Sequence, residues 1–189
     1  MRYEEAVAAL STGAWLPAIT ALLGHLSHDP AHGKAWMYLG IAYSQVGFQE
    51  DSLRALYRAD TLLEESAELC EAIGCTYSRM GQSELALADL NRAMSYPDCS
   101  ASVYRNTAML HLKGGHYLAA LTAIETAMER DPDDVLTLLG KLFVLAGMQR
   151  VLDFDVREEM QVLADNLISR KGAPEHIRQT ARQVLSEVS

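Results

Sequence analysis

Three of the six histidines in this chain, His25, His28 and His32, fall within a span of eight residues. Imidazoles at that spacing are raw material for a zinc site, which needs four nitrogen, sulfur or oxygen ligands in tetrahedral reach. Asp29 is the one further ligand nearby, so the residues predict solvent-exposed turn histidines, with no metal and no cofactor. Glu64, Glu65, Glu68 and Glu71 could pass for paired catalytic carboxylates, yet their helical spacing reads as a solvated face or a partner contact. No serine, cysteine or threonine sits in a nucleophile motif beside a histidine, and Gly114-Gly115 is a lone pair rather than a phosphate loop. The expectation is a protein that binds and does not catalyse.

Cys70, Cys75 and Cys99 are odd in number and form no CxxC pair, which fits free thiols in a reducing compartment. Cys70 in particular reads as a small buried hydrophobe. The formal charge of -9 argues against a nucleic-acid partner, since phosphate contacts need a basic face. Residues 1 to 100 carry 6 basic against 13 acidic side chains, a bias toward a partner with basic character. No run approaches the roughly 20 apolar residues of a membrane span, and the start lacks a basic segment followed by an apolar one. A cytoplasmic location without membrane insertion is expected.

The elements that must position these side chains announce themselves by a period. Glycines stand at 13, 47, 81 and 115, each 34 residues after the last. Five residues after them come Ala18, Ser52, Ala86 and Ala120, and nine residues after them Leu22, Leu56, Leu90 and Ile124. Seven residues before the last three glycines lie Gly40, Gly74 and Ala108. Small residues in phase with bulky ones are what closely crossing helices require. Ser52 replaces alanine at one crossing and is expected to bond a carbonyl one turn back.

This pattern resembles the tetratricopeptide-repeat family. Trp36, Leu39-Gly40, Tyr43, Gly47 and Ala59 carry it most fully in one block, and Ala108, Gly115, Tyr117, Ala120, Ala127 and Pro132 in another. The resemblance implies an all-α, right-handed solenoid of helical hairpins: a shortened repeat over 1–32, repeats over 33–66, 67–100 and 101–134, and a degenerate repeat with capping helices over 135–189. About ten helices and no sheet are expected, in one domain. Val156, Met160, Leu163 and Leu167 predict a tail helix within 153–170. Ile177, Ala181, Val184 and Val188 give a last amphipathic helix opened by Pro174.

In the family the first helix of each hairpin lines the concave groove. By that pattern the groove holds Lys34, Met37, Tyr38, Ile41, Ser44 and Gln45, then Glu68, Glu71, Ala72, Cys75, Ser78 and Arg79, then Ser102, Arg105, Asn106, Met109, Leu112 and Lys113. Leu136, Leu139 and Phe143 would extend it unless the tail covers them. Glu68 and Glu71 at mid-groove, with Met37 in place of a basic residue, depart from the relatives that clamp the C-terminal carboxylates of heat-shock chaperones. The implied function is an adaptor or chaperone-like module that holds a peptide or helical segment of a protein partner. The alternative is a scaffold that docks through its convex face or termini, as a homo-oligomer or within a larger complex.

Overall fold

The computed structural model describes residues 2–152 and 155–188. Eleven helices and no strand are present among them. Met1–Cys99 and Ser100–Ser189 form two compact units. In the first unit α1 (Arg2–Ser11) pairs with α2 (Trp15–Leu26), α3 (Gly33–Gln45) with α4 (Gln49–Asp60), and α5 (Ala67–Arg79) with α6 (Ser83–Met94). The second unit holds the hairpin of α7 (Ala101–Lys113) and α8 (Tyr117–Arg130), followed by α9 (Val135–Leu152), α10 (Arg157–Ser169) and α11 (Glu175–Val188).

One turn is repeated in all four hairpins. The residue after each phase glycine donates its amide to a carbonyl five residues back: Ala14 to Ala9, Phe48 to Tyr43, Gln82 to Tyr77 and His116 to His111, at 2.8 to 3.0 Å. This is the Schellman closure of a helix, which needs a left-handed residue just past the last turn. Gly13, Gly47, Gly81 and Gly115 supply it, with φ between 71° and 90°. The same phase places Gln149 where a fifth turn would fall. With no glycine there, α9 runs on to Leu152. Gly147 lies inside that helix, where a Cβ would stand 2.6 Å from the Tyr117 ring.

Within each hairpin the small residue of the first helix meets the bulky residue of the second. A Cβ on Gly40 would lie 2.5 Å from Leu56 Cγ and 3.1 Å from the Ser52 carbonyl, and one on Gly74 would lie 3.0 Å from Leu90 Cγ. Ala108 packs with Ala120 and Ile124. Leu22, Leu56, Leu90 and Ile124 are all fully buried, as are Ala18, Ser52, Ala86 and Ala120. Ser52 does not bond back along its own helix as expected. Its hydroxyl meets the Thr76 hydroxyl of α5 at 3.0 Å, while Thr76 bonds the Ala72 carbonyl at 2.9 Å. A buried hydroxyl thus finds its partner on the neighbouring hairpin, which removes the penalty of leaving it unpaired.

The tail closes the second unit. Leu138, Leu139, Leu142 and Leu145 of α9 pack with Met160, Ala164 and Leu167 of α10 and with Ile177, Ala181 and Val184 of α11. α10 starts at Arg157; Asp153 and the Val188 side chain lie outside the described residues. α9 is 18 residues long with mean hydropathy 1.6, long and apolar enough to span a bilayer, but 56% of it is buried in the fold as in a core helix. The expectation that no run approaches that length is corrected accordingly.

Two kinds of glycine predict two kinds of damage. Gly40→Leu is expected to destabilise by about 1–3 kcal/mol through overpacking. Gly47→Ala meets nothing within 4 Å yet is expected to cost about 1–2 kcal/mol, from the left-handed backbone alone. Urea melts check both, and a neutral Gly47→Ala would remove the turn argument. A chain ending at Ala173 is expected to melt lower and to aggregate, because the α9 leucines lose their cover; unchanged light scattering and melting would show that α11 caps nothing.

Candidate functional site

The first helices of the first unit present a half-exposed row. Tyr38 and Ile41 of α3 are partly buried and rest on the core formed by Leu56, Leu69 and Ile73, joined by Ala72 of α5. Cys75 and Ser78 follow on α5, also partly buried, while Lys34 and Glu68 are exposed at the N-terminal ends of the two helices. Tyr3 of α1 extends the row, its ring stacked on Tyr38 at 6.4 Å and 13°. Burial, then the neighbouring Tyr38, Glu68 and Glu4, push the Tyr3 phenol above its ordinary value. The result is an aromatic and aliphatic strip with carboxylates beside it.

Met37, expected in the groove, is 2% exposed and packs against Leu69 and Ile73 of the next hairpin. Arg105, two periods later, is ion-paired to Asp134 at the start of α9. Tyr3, one period before Met37, leans on Tyr38 and His32. At Met37 this position is covered by the following hairpin, which corrects its placing as a surface contact, whereas Arg105 and Tyr3 are only partly buried there. Glu71 shares the phase and is half-buried. Ser44 is a second correction: it is buried, bonded to the Gln49 side chain, and its carbonyl accepts from Arg79 at 2.7 Å. Arg79 also reaches Gln45 at 3.1 Å, so it ties α5 to the end of α3.

In the second unit Ser102, Asn106 and Met109 occupy the positions equivalent to Lys34, Tyr38 and Ile41, and all three are partly buried. Leu139 and Phe143 do not continue an open surface, because α10 and α11 cover them; Leu136 stays exposed. Asp134 is the residue that sequence reasoning missed here. It accepts from the Leu136 and Thr137 amides at 3.1 and 3.2 Å and from the Thr137 hydroxyl at 2.6 Å, capping α9, besides holding Arg105. An aspartate two residues past Pro132 and just before an apolar run is an N-cap signal that the sequence carries openly.

The histidines also differ from expectation. His28 is exposed and bonds Ser27 and the Gly24 carbonyl. His25 and His32 are instead half-buried, their Nε2 and Nδ1 atoms 2.6 Å apart, with Tyr3 against both rings. Cys70 is buried as predicted, and its thiol, pushed up to about 11 chiefly by burial, is inert at neutral pH. All three cysteines are free thiols.

Comparison with known proteins follows the same lines. A family model described as tetratricopeptide repeat matches residues 67–97, the block of α5 and α6. Tetratricopeptide repeat protein 37 of Xenopus laevis is 24% identical over 135 residues, 69% of this chain; the match spans only 9% of that protein's length. The structure of TTC0263, a thermophilic TPR protein of Thermus thermophilus, aligns with a TM-score of 0.68 and 24% identity over 76% of this chain and 79% of that one. YrrB, described as a TPR protein with an unusual peptide-binding site, aligns with a TM-score of 0.64 and 16% identity over 96% and 90%.

Asp134 generates a pH prediction. Burial alone would raise its carboxyl, but the Thr137 hydroxyl, the Leu136 amide and Arg105 outweigh it and hold the group below its ordinary value. A depressed folded value means stability that is full above the unfolded carboxylate range and lost as pH falls through the folded value. Asp134→Asn is expected to lower stability at neutral pH by about 1–3 kcal/mol, and the gap from the parent protein is expected to close in acid. Urea melts at the two pH values measure it; a gap that persists in acid would assign the effect to packing instead.

Proposed function

We propose, from the premise that this chain is a tetratricopeptide-repeat protein and so a protein-interaction module, that the first-helix face of its first unit holds a segment of a partner protein. The observation that carries this reading is the strip of Tyr3, Tyr38, Ile41 and Cys75. These side chains are partly exposed on rigid helices, where a loop would have to be ordered on binding. Tyrosine is over-represented among residues that dominate binding energy, since it offers a large contact area with few rotors to freeze.

Electrostatics favours a basic segment. Residues 1 to 100 hold the 13 acidic and 6 basic side chains noted above, and Glu68 is exposed beside the strip. Apolar anchoring would supply affinity, while the carboxylates would speed encounter and select sign. The adaptor or chaperone role is the form of this activity that a stoichiometric, segment-holding face serves. The YrrB likeness is consistent with a peptide ligand.

The test is to select peptides from a displayed random library against the full chain and titrate an enriched one. Tyr38→Ala is expected to weaken it by about 1–3 kcal/mol with helical content unchanged. Glu68→Lys is expected to slow association and flatten its salt dependence. Arg58→Ala, exposed on α4, serves as control. Parent affinity in both groove variants would move binding to another surface and favour the scaffold reading.

A further inference from the structure

We infer that His25, Asp29 and His32 form a binding site for a divalent transition-metal ion of the zinc class, at the junction of α2 and α3. The inference is independent of the segment-binding proposal. His25 Nε2 lies 2.6 Å from His32 Nδ1, and Asp29 Oδ2 lies 4.0 Å from that same Nδ1. One donor atom from each of the three residues falls within 4.8 Å of the others.

A tetrahedral ion with bonds of about 2.0–2.1 Å places its ligand atoms about 3.3 Å apart. The two imidazoles therefore need to open by about 0.7 Å, and the carboxylate to close by about 0.7 Å on His32 and by up to about 1.5 Å on His25. Such shifts are small rotations, and the Asp29 side chain, 54% exposed, is free to swing. The imidazoles are the part that must be held in advance, and Tyr3 does this. Its ring lies 5.3 Å from the His25 ring and 4.5 Å from the His32 ring, and the two imidazoles meet edge-on at 70°. Preset ligand orientation is what separates a site from a chance cluster.

The chemistry of the set points to the ion. Two imidazole nitrogens and one carboxylate suit zinc, cobalt or nickel better than calcium or magnesium, which prefer oxygen alone. His25 also sits in the last turn of α2, where the helix's carbonyl end favours positive charge. Three protein ligands leave further coordination to water. Ligand spacing along the chain does not reveal the set, because Tyr3, the ring against both imidazoles, stands 22 residues before His25. The ion would pin the turn between the first two hairpins, one ring away from Tyr38.

The test uses the full chain without an affinity tag, stripped with chelator and titrated with Zn²⁺ by calorimetry and with Co²⁺ by visible absorbance. Expected are one ion per chain, a four-coordinate Co²⁺ band without thiolate charge transfer, and a rise in Tm with Zn²⁺. His25→Gln and His32→Gln are each expected to abolish all three, whereas His28→Gln retains them. Asp29→Asn, an exposed change that leaves both imidazoles in place, is expected to weaken Zn²⁺ by at least about tenfold, which keeps the test sound should a histidine variant misfold. Absence of stoichiometric binding, parent affinity in Asp29→Asn, survival of binding in either histidine variant, or a thiolate band would each overturn the site.

Discussion

The absence of room for a single Cβ where α3 crosses α4 is the constraint on which the rest of the first unit depends. A Cβ on Gly40 would stand 2.5 Å from Leu56 Cγ and 3.1 Å from the Ser52 carbonyl, so the crossing admits none, and Leu56 fills the space beside it. Gly74 with Leu90 repeats the arrangement, and Ala108 with Ile124 relaxes it slightly. Close approach demands a short connection, and the left-handed glycine with its amide-to-carbonyl closure five residues back provides one. Crossing and turn are thus two consequences of one 34-residue spacing.

That geometry decides which side chains remain for a ligand. Within the first unit, α1 and α3 turn one line of residues toward their own partner helix and another toward the next hairpin. Met37 and Arg105 are taken up by packing and by an ion pair with Asp134, while Tyr3 leans on His32 and Tyr38 and stays partly exposed. What is left to solvent is the line of Lys34, Tyr38 and Ile41 with its counterparts Glu68, Ala72 and Cys75. The same logic places Tyr3 twice, at the edge of the strip and over the His25–His32 pair.

The hairpins, the turn glycines and the buried leucines were legible because each recurs in phase, and a repeated signal is hard to mistake. The inward or outward facing of one residue was less so. Met37 and Tyr38 are neighbours in sequence, and only the position of the following hairpin decides which of them is covered. Ser52 shows the same limit, since its partner Thr76 is 24 residues away and nothing local favours it over the carbonyl one turn back. The length of α9 was readable in hindsight from Gln149, a residue that cannot easily adopt the left-handed turn. The histidine pair was not, because burial by Tyr3 is a tertiary event.

The central claim is that the solvent-facing line of the first unit is a binding face for a basic protein segment. Its most direct measurement is amide and side-chain chemical-shift mapping of the full chain with a library-selected peptide. The account predicts that shifts concentrate at Tyr3, Tyr38, Ile41, Glu68 and Cys75 and that Leu16, Leu85 and Leu118, all exposed on second helices, stay unmoved. Shifts confined to those leucines, with Tyr38 and Ile41 unchanged, would contradict it.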